Sequence, residues 1–144
     1  MSPAAANYLL DTNACIALIN GKPAAVRTHF EKAIDEGAEV LAPSVVASEL
    51  WYGVAKSATA ETNARRVREF LRGPIRMLAF DEDDARAAGE IRAQLEKTGK
   101  PIGAYDVLIA GQAVRLGLTL VTANAKEFAR VKGLRWEDWG KAED

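Results

Sequence analysis

Apolar residues in this chain come in short runs, separated by longer stretches with helical spacing. Tyr8-Leu9-Leu10, Val40-Leu41-Ala42, Arg76 to Ala79, Thr119-Leu120-Val121 and a segment around Leu134 to Trp136 read as strands. Such runs, bounded by turn residues, are the signature of strands buried in a parallel sheet. Between them lie predicted helices. Thr12 to Asn20 is stopped by Gly21 and Pro23, and Ala24 to Glu36 is closed by Gly37. A third helix runs to about Lys56, with Ser44 as its expected N-cap. Thr59 to Arg72 is a charged helix, stopped by Gly73-Pro74. Glu82 to Thr98 carries Ala85, Ala88, Ile91 and Leu95 at helical spacing before Gly99. Gly103 to Leu116 and Ala125 to Val131 complete the set, and a polar tail ends the chain.

Strands alternating with helices give an α/β fold, a three-layer α/β/α sandwich around a central parallel sheet. The 144 residues suit one domain spanning 1–144, with no repeat or linker. In such sheets ligands collect at the carboxyl ends of the strands, where the connections diverge. Asp11 ends the first strand, and Glu49 and Asp106 lie early in helices that follow sheet elements or loops. Topology can therefore gather all three at one sheet edge.

Hydrophobic residues make up 49% of the chain, enough to build a core without a partner. No apolar run reaches membrane-spanning length, and residues 1–6 lack the basic and apolar regions of a secretion signal. The single cysteine, Cys15, excludes an internal disulfide and fits a reducing, cytoplasmic setting. A net charge of −1 argues against a non-specific nucleic-acid coat protein. It leaves room for an enzyme gripping a short segment through clustered arginines.

Each of the acids has a plain structural explanation. Asp11, followed by Thr12 and Asn13, is a ready helix N-cap. Glu49 could occupy a solvated face, although Val46, Leu50, Trp51 and Tyr52 leave little polar surface around it. Asp106 is favoured in a first helical turn by roughly a few tenths of a kcal/mol. It has no salt-bridge partner along its helix, because the positions three and four residues away are Ile102, Gly103, Ile109 and Ala110. Three isolated acids in apolar surroundings suit Mg²⁺, or Mn²⁺, which prefer oxygen ligands. One His and one Cys exclude a zinc-ligand set. His29 is expected at a surface or boundary, not in a nucleophile relay.

The motifs Leu10-Asp11-Thr12-Asn13, Ser48-Glu49-Leu50-Trp51-Tyr52-Gly53, Gly103-Ala104-Tyr105-Asp106-Val107-Leu108-Ile109-Ala110, Val121-Thr122-Ala123-Asn124 and Gly133-Leu134-Arg135-Trp136-Glu137-Asp138-Trp139 occur in this order. Over nearly its whole length the chain resembles the PIN-domain ribonucleases, specifically the VapC toxins of bacterial toxin–antitoxin pairs. The resemblance implies a Rossmann-like PIN fold and a Mg²⁺-dependent endoribonuclease that cuts structured RNA, most often tRNA. It implies that Asp11 and Asp106 ligate metal, and that Glu49 completes the shell or orients water. Asn13 and Thr122 are further candidates near the site. Asn124 stands where family members often carry another acid, and Glu127 one turn on is the possible substitute. A VapB-type antitoxin and toxin dimers or hetero-oligomers are the implied partners.

Arg65, Arg68 and Arg72 share one side of a helix, with Arg66 adjacent. They form either a solvated face or a phosphate-binding strip. Trp51, Tyr52 and Phe70 either enter the core or line a groove for an antitoxin helix, while Trp136 and Trp139 are expected to close the core. Two other readings compete: a housekeeping PIN nuclease in RNA processing, and a receiver-like metal-binding regulatory domain. The second wants an acid pair at the first strand end and a late Lys, for which only Lys126 is available.

Overall fold

A computed structural model describes residues 6–141; the remaining residues at either end, including most of the segment read above for a secretion signal, lie outside the described residues. Five strands form one sheet: β1 (Tyr8–Leu10), β2 (Val40–Pro43), β3 (Arg76–Leu78), β4 (Thr119–Val121) and β5 (Arg135–Glu137). Every pairing is parallel, in the order β3-β2-β1-β4-β5. The helices are α1 (Thr12–Asn20), α2 (Ala24–Asp35), α3 (Ser44–Lys56), α4 (Ala60–Leu71), α5 (Glu82–Lys97), α6 (Ala104–Leu116) and α7 (Ala125–Phe128).

The three central strands are buried throughout apart from Tyr8, so their apolar runs read correctly. The edges differ. β3 is largely exposed and β5 fully so, which leaves Trp136 38% exposed instead of closing the core. Trp139 is buried as expected, packed edge-on against Tyr8 and stacked on His29.

Ser44 does not cap α3. The helix begins on it, and its hydroxyl oxygen accepts from the Phe80 backbone N–H at 3.2 Å, pinning the exit of β3 to the start of α3. α7 is shorter than the expected Ala125 to Val131. After Phe128 the chain tightens, with Arg130 N–H donating to the Glu127 carbonyl and Val131 N–H to that of Phe128.

α5 and α6 cross on small residues. A methyl group built on Gly111 would lie 2.8 Å from the Ala88 nitrogen, so only glycine permits this approach. Their junction also holds a fully buried acid, Asp84. With Asp81 it forms a capping box on α5; Gln112 Nε2 donates to it at 3.1 Å and Arg115 Nε at 2.6 Å. Both donors lie on α6, the helix that begins beside Asp106. The network thus ties the strut carrying Asp106 to the α5 cap.

Candidate active site

β1 lies between β2 and β4, and the chain builds outward from it in both directions, so the sheet's switch point is at β1 and β4. Asp11 occupies it. Its backbone N–H donates to the Val121 carbonyl at 3.1 Å, continuing the ladder, and its Oδ1 accepts from Ala14 N–H at 2.8 Å. Asp11 is therefore the N-cap of α1, and the capping and site readings hold together. Burial pushes its carboxyl up, the Thr122 hydroxyl and Ala14 N–H pull it down, and the charges of Glu49 and Asp138 raise it again, for a net rise.

Asp106 stands in the first turn of α6. Burial, then the charges of Glu127, Asp11 and Glu49, push its carboxyl up to about 6. A hydrogen bond with Glu127 raises Asp106 and lowers Glu127, so Asp106 is the more readily protonated of the two. Glu127 is fixed from two further sides. Gly103 N–H donates to its Oε1 at 2.6 Å, and Asn124 Nδ2 donates to its Oε2 at 2.6 Å. Glu127 thus stands beside Asp106, and the Asn124 amide orients it. Asn124 is itself oriented at the backbone, its N–H donating to the Thr122 hydroxyl at 2.9 Å.

Gly103 was legible only as a helix start. A methyl group there would lie 3.1 Å from Asp106 Oδ2, crowding that carboxylate, and would meet Glu127 Oε1 at an ordinary 3.7 Å. Glu49, half-buried on α3, acts on both Asp11 and Asp106 through its charge. Asp106 is isolated along its helix and crowded by acids in space.

The donors are all hard oxygens, which suits a divalent cation such as Mg²⁺. As placed, no three Asp, Glu, His or Cys side chains among the described residues form a ready-made cage. Mg²⁺ does not require one, since it keeps several waters and takes one or two carboxylates. Carboxylates that repel one another and raise a neighbour's pKa suit a bound cation.

The PIN domain family profile matches residues 8–134. The chain belongs to the PIN-domain family, in its VapC ribonuclease branch. The tRNA(fMet)-specific endonuclease VapC of Shigella flexneri is 43% identical over 132 residues, covering 92% of this chain and 97% of that one. Its namesake in Salmonella typhimurium is 39% identical over the same shares. The crystal structure of VapBC2 from Rickettsia felis, bound to a promoter DNA fragment, superposes with a TM-score of 0.85 at 36% identity, covering 92% of this chain and 98% of that one.

In this VapC-type PIN domain the other candidates are dispersed. Arg65, Arg68 and Arg72 are exposed on or just after α4, which packs on α3 and α1. Arg66 is committed structurally, its Nη2 donating to the Ile19 carbonyl at 3.1 Å and to Asn20 Oδ1 at 3.0 Å. Phe70 is half-buried and lines a cavity with Leu18, Phe30 and Arg66, between α1, α2 and α4. Trp51 and Tyr52 are exposed, and Lys56 lies over the Tyr52 ring at 4.9 Å, so the three aromatics do not share one groove. Asn13 is exposed at the start of α1, and Thr122 is buried behind Asp11. Sequence reasoning missed Asp138, whose charge reaches Asp11. Its only signal was the Trp136-Glu137-Asp138-Trp139 run just beyond the last strand.

Proposed function

We propose that this chain is the toxin of a type II toxin–antitoxin pair, a Mg²⁺-dependent endoribonuclease held inactive by a VapB-type antitoxin. Structured RNA is its substrate class, tRNA foremost. The names of the Shigella and Salmonella relatives make tRNA(fMet) the first RNA to try. The relatives from Rickettsia felis and Salmonella typhimurium were solved as VapBC complexes bound to DNA, which supports an antitoxin-bound hetero-oligomer as the resting form.

The observation that carries the reading is the gathering of Glu127, Asp11 and Glu49 around Asp106, with Glu127 held there by Gly103 N–H and Asn124. Four acids from α3, α6, α7 and the end of β1 act on one point at the sheet's switch. A bound Mg²⁺ would supply a water of lowered pKa and neutralise charge developing on the phosphate oxygens. Asp11 and Asp106 are the residues that would hold it, with Glu127 and Glu49 close by. Gly103 N–H and Asn124 hold Glu127 in place beside Asp106. Glu49, half-exposed on its own helix, is the carboxylate with freedom to orient water.

The test is sequencing of RNA 5′ ends after expressing the wild type beside Asp11→Ala, repeated in vitro with Mg²⁺ and with a chelator. New ends that require both Asp11 and the metal are expected, bearing 5′-phosphate opposite 3′-hydroxyl. An inert wild type overturns the nuclease reading, and 2′,3′-cyclic phosphate products overturn attack by water.

A further inference from the structure

Beside Asp11 lies a cavity of about 290 Å³ walled by Asn13, Ile16, Pro23, Thr122 and Asp138, with Lys22 also on its lining. It adjoins the acid site through shared walls. Ala14 also lines it, and both the Ala14 N–H and the Thr122 hydroxyl bond the Asp11 carboxylate. Its volume lies at the small end of the ~300–1,000 Å³ that ligand pockets span, which suits one planar ring and not a helix. Ile16, 40% exposed, and Pro23 offer apolar faces for such a ring. Lys22 is exposed and makes no ion pair among the described residues.

Asp138 gives the cavity its chemical preference. It follows β5 directly, where Thr122 N–H donating to the Glu137 carbonyl brings the β4 and β5 exits together. One of its oxygens, Oδ1, accepts from Gly140 N–H at 2.8 Å. An ionised carboxylate can only accept hydrogen bonds, so Oδ2 is left to take a donor from a ligand. Base edges carry such donors as the exocyclic amino groups of guanine, adenine and cytosine, which uracil lacks.

Building on the ribonuclease reading above, we infer that this cavity is a base subsite: it receives a nucleobase flanking the scissile phosphate, and Asp138 selects a base that carries an amino donor. Lys22 contacts the neighbouring phosphate.

The experiment is single-turnover cleavage of an RNA whose cut site has been mapped. At each nucleotide flanking the cut, the amino group is removed: guanosine to inosine, adenosine to purine riboside, or cytidine to its 4-deamino analogue, with uridine as the replacement that puts a carbonyl there. At one of these positions the wild type is expected to lose about tenfold in kcat/KM. Asp138→Ala should bring that ratio close to one. In Asp138→Asn the Gly140 N–H keeps the amide oxygen, so Nδ2 faces the cavity and the preference should turn toward uridine. Reading a ratio within each variant removes any common loss of rate. Lys22→Gln should reduce the salt slope of RNA binding by about one. A wild type indifferent to every amino group overturns the subsite while leaving the nuclease reading intact. So do variants that keep the wild-type ratio, or that weaken antitoxin capture without changing it. A wild type that cuts no RNA overturns the nuclease reading beneath it.

Discussion

Asp84 is bonded to the C-terminal half of α6 and Asp106 stands in its first turn, and the two acids have opposite fates. Asp84 is fully buried, yet its carboxyl is held below the usual range: burial raises it, and the Asp81 N–H, Arg115 and Gln112 together lower it by more. Asp106 is only half-buried, yet it is pushed up to about 6, because burial and the neighbouring acids act in the same direction. Burial alone therefore does not tell a working acid from a structural one. The partners do. An acid met by donors and a guanidinium serves the fold, whereas one met by other acids awaits a cation or a proton.

The contrast can be broken at either end. The largest effect should come from Asp106→Asn, which removes an oxygen-ligand charge and should lower RNA cleavage roughly a thousandfold. A single-turnover assay in saturating Mg²⁺ checks it, and near-normal turnover would place the metal elsewhere. Next is Asp84→Ala, which should cost about 3 kcal/mol by stripping the α5 cap and leaving Arg115 and Gln112 without their shared acceptor. Thermal unfolding should show a fall of roughly 10 °C. A fall within error would mean the network is dispensable.

Asp106→Asn should move stability the other way. Without metal it relieves a repelled charge, and after discounting for solvent screening a gain of about 1 kcal/mol is expected at neutral pH. A lower Tm in chelator would contradict the charge argument. Smallest is the pH response. The native state holds a proton on Asp106 up to about 6, above the 3.8 of an ordinary Asp. Native protein thus binds more protons than unfolded in this window, and stability falls as pH rises through it. Lowering the pH from about 7 to about 5 should therefore stabilise the metal-free wild type, and Asp106→Asn should respond less. Asp84 has the opposite sign: its contribution is present above the ordinary carboxylate range and is lost only as the pH falls through its lowered value. Unfolding midpoints along a pH series in chelator would separate the two acids.

Much of this was legible in the residues. The buried strands announced themselves as apolar runs, and helix ends followed Gly21, Gly37, Gly99 and Gly117, each closing a helix at positive φ. Asp11 was visible because it ends a buried apolar strand and caps the helix that follows. Such signals are local, and local backbone chemistry is what a chain read in order displays.

The remainder was decided by tertiary structure, because it depends on groups far apart along the chain. Gly103 N–H meets Glu127 across 24 residues, and Gln112 meets Asp84 across 28. Nothing near Asp106 in sequence foretold that another acid would stand beside it, or that Asn124 would orient that acid. Ser44 looked like a cap until the exit of β3 arrived to use its hydroxyl. Trp136 looked like core until β5 became an exposed edge, with no further strand beside it among the described residues. Hydrophobic pattern sets which elements form. The field at Asp106 and the wall beside Asp11 depend on distances that exist only once the sheet has brought its strand ends together.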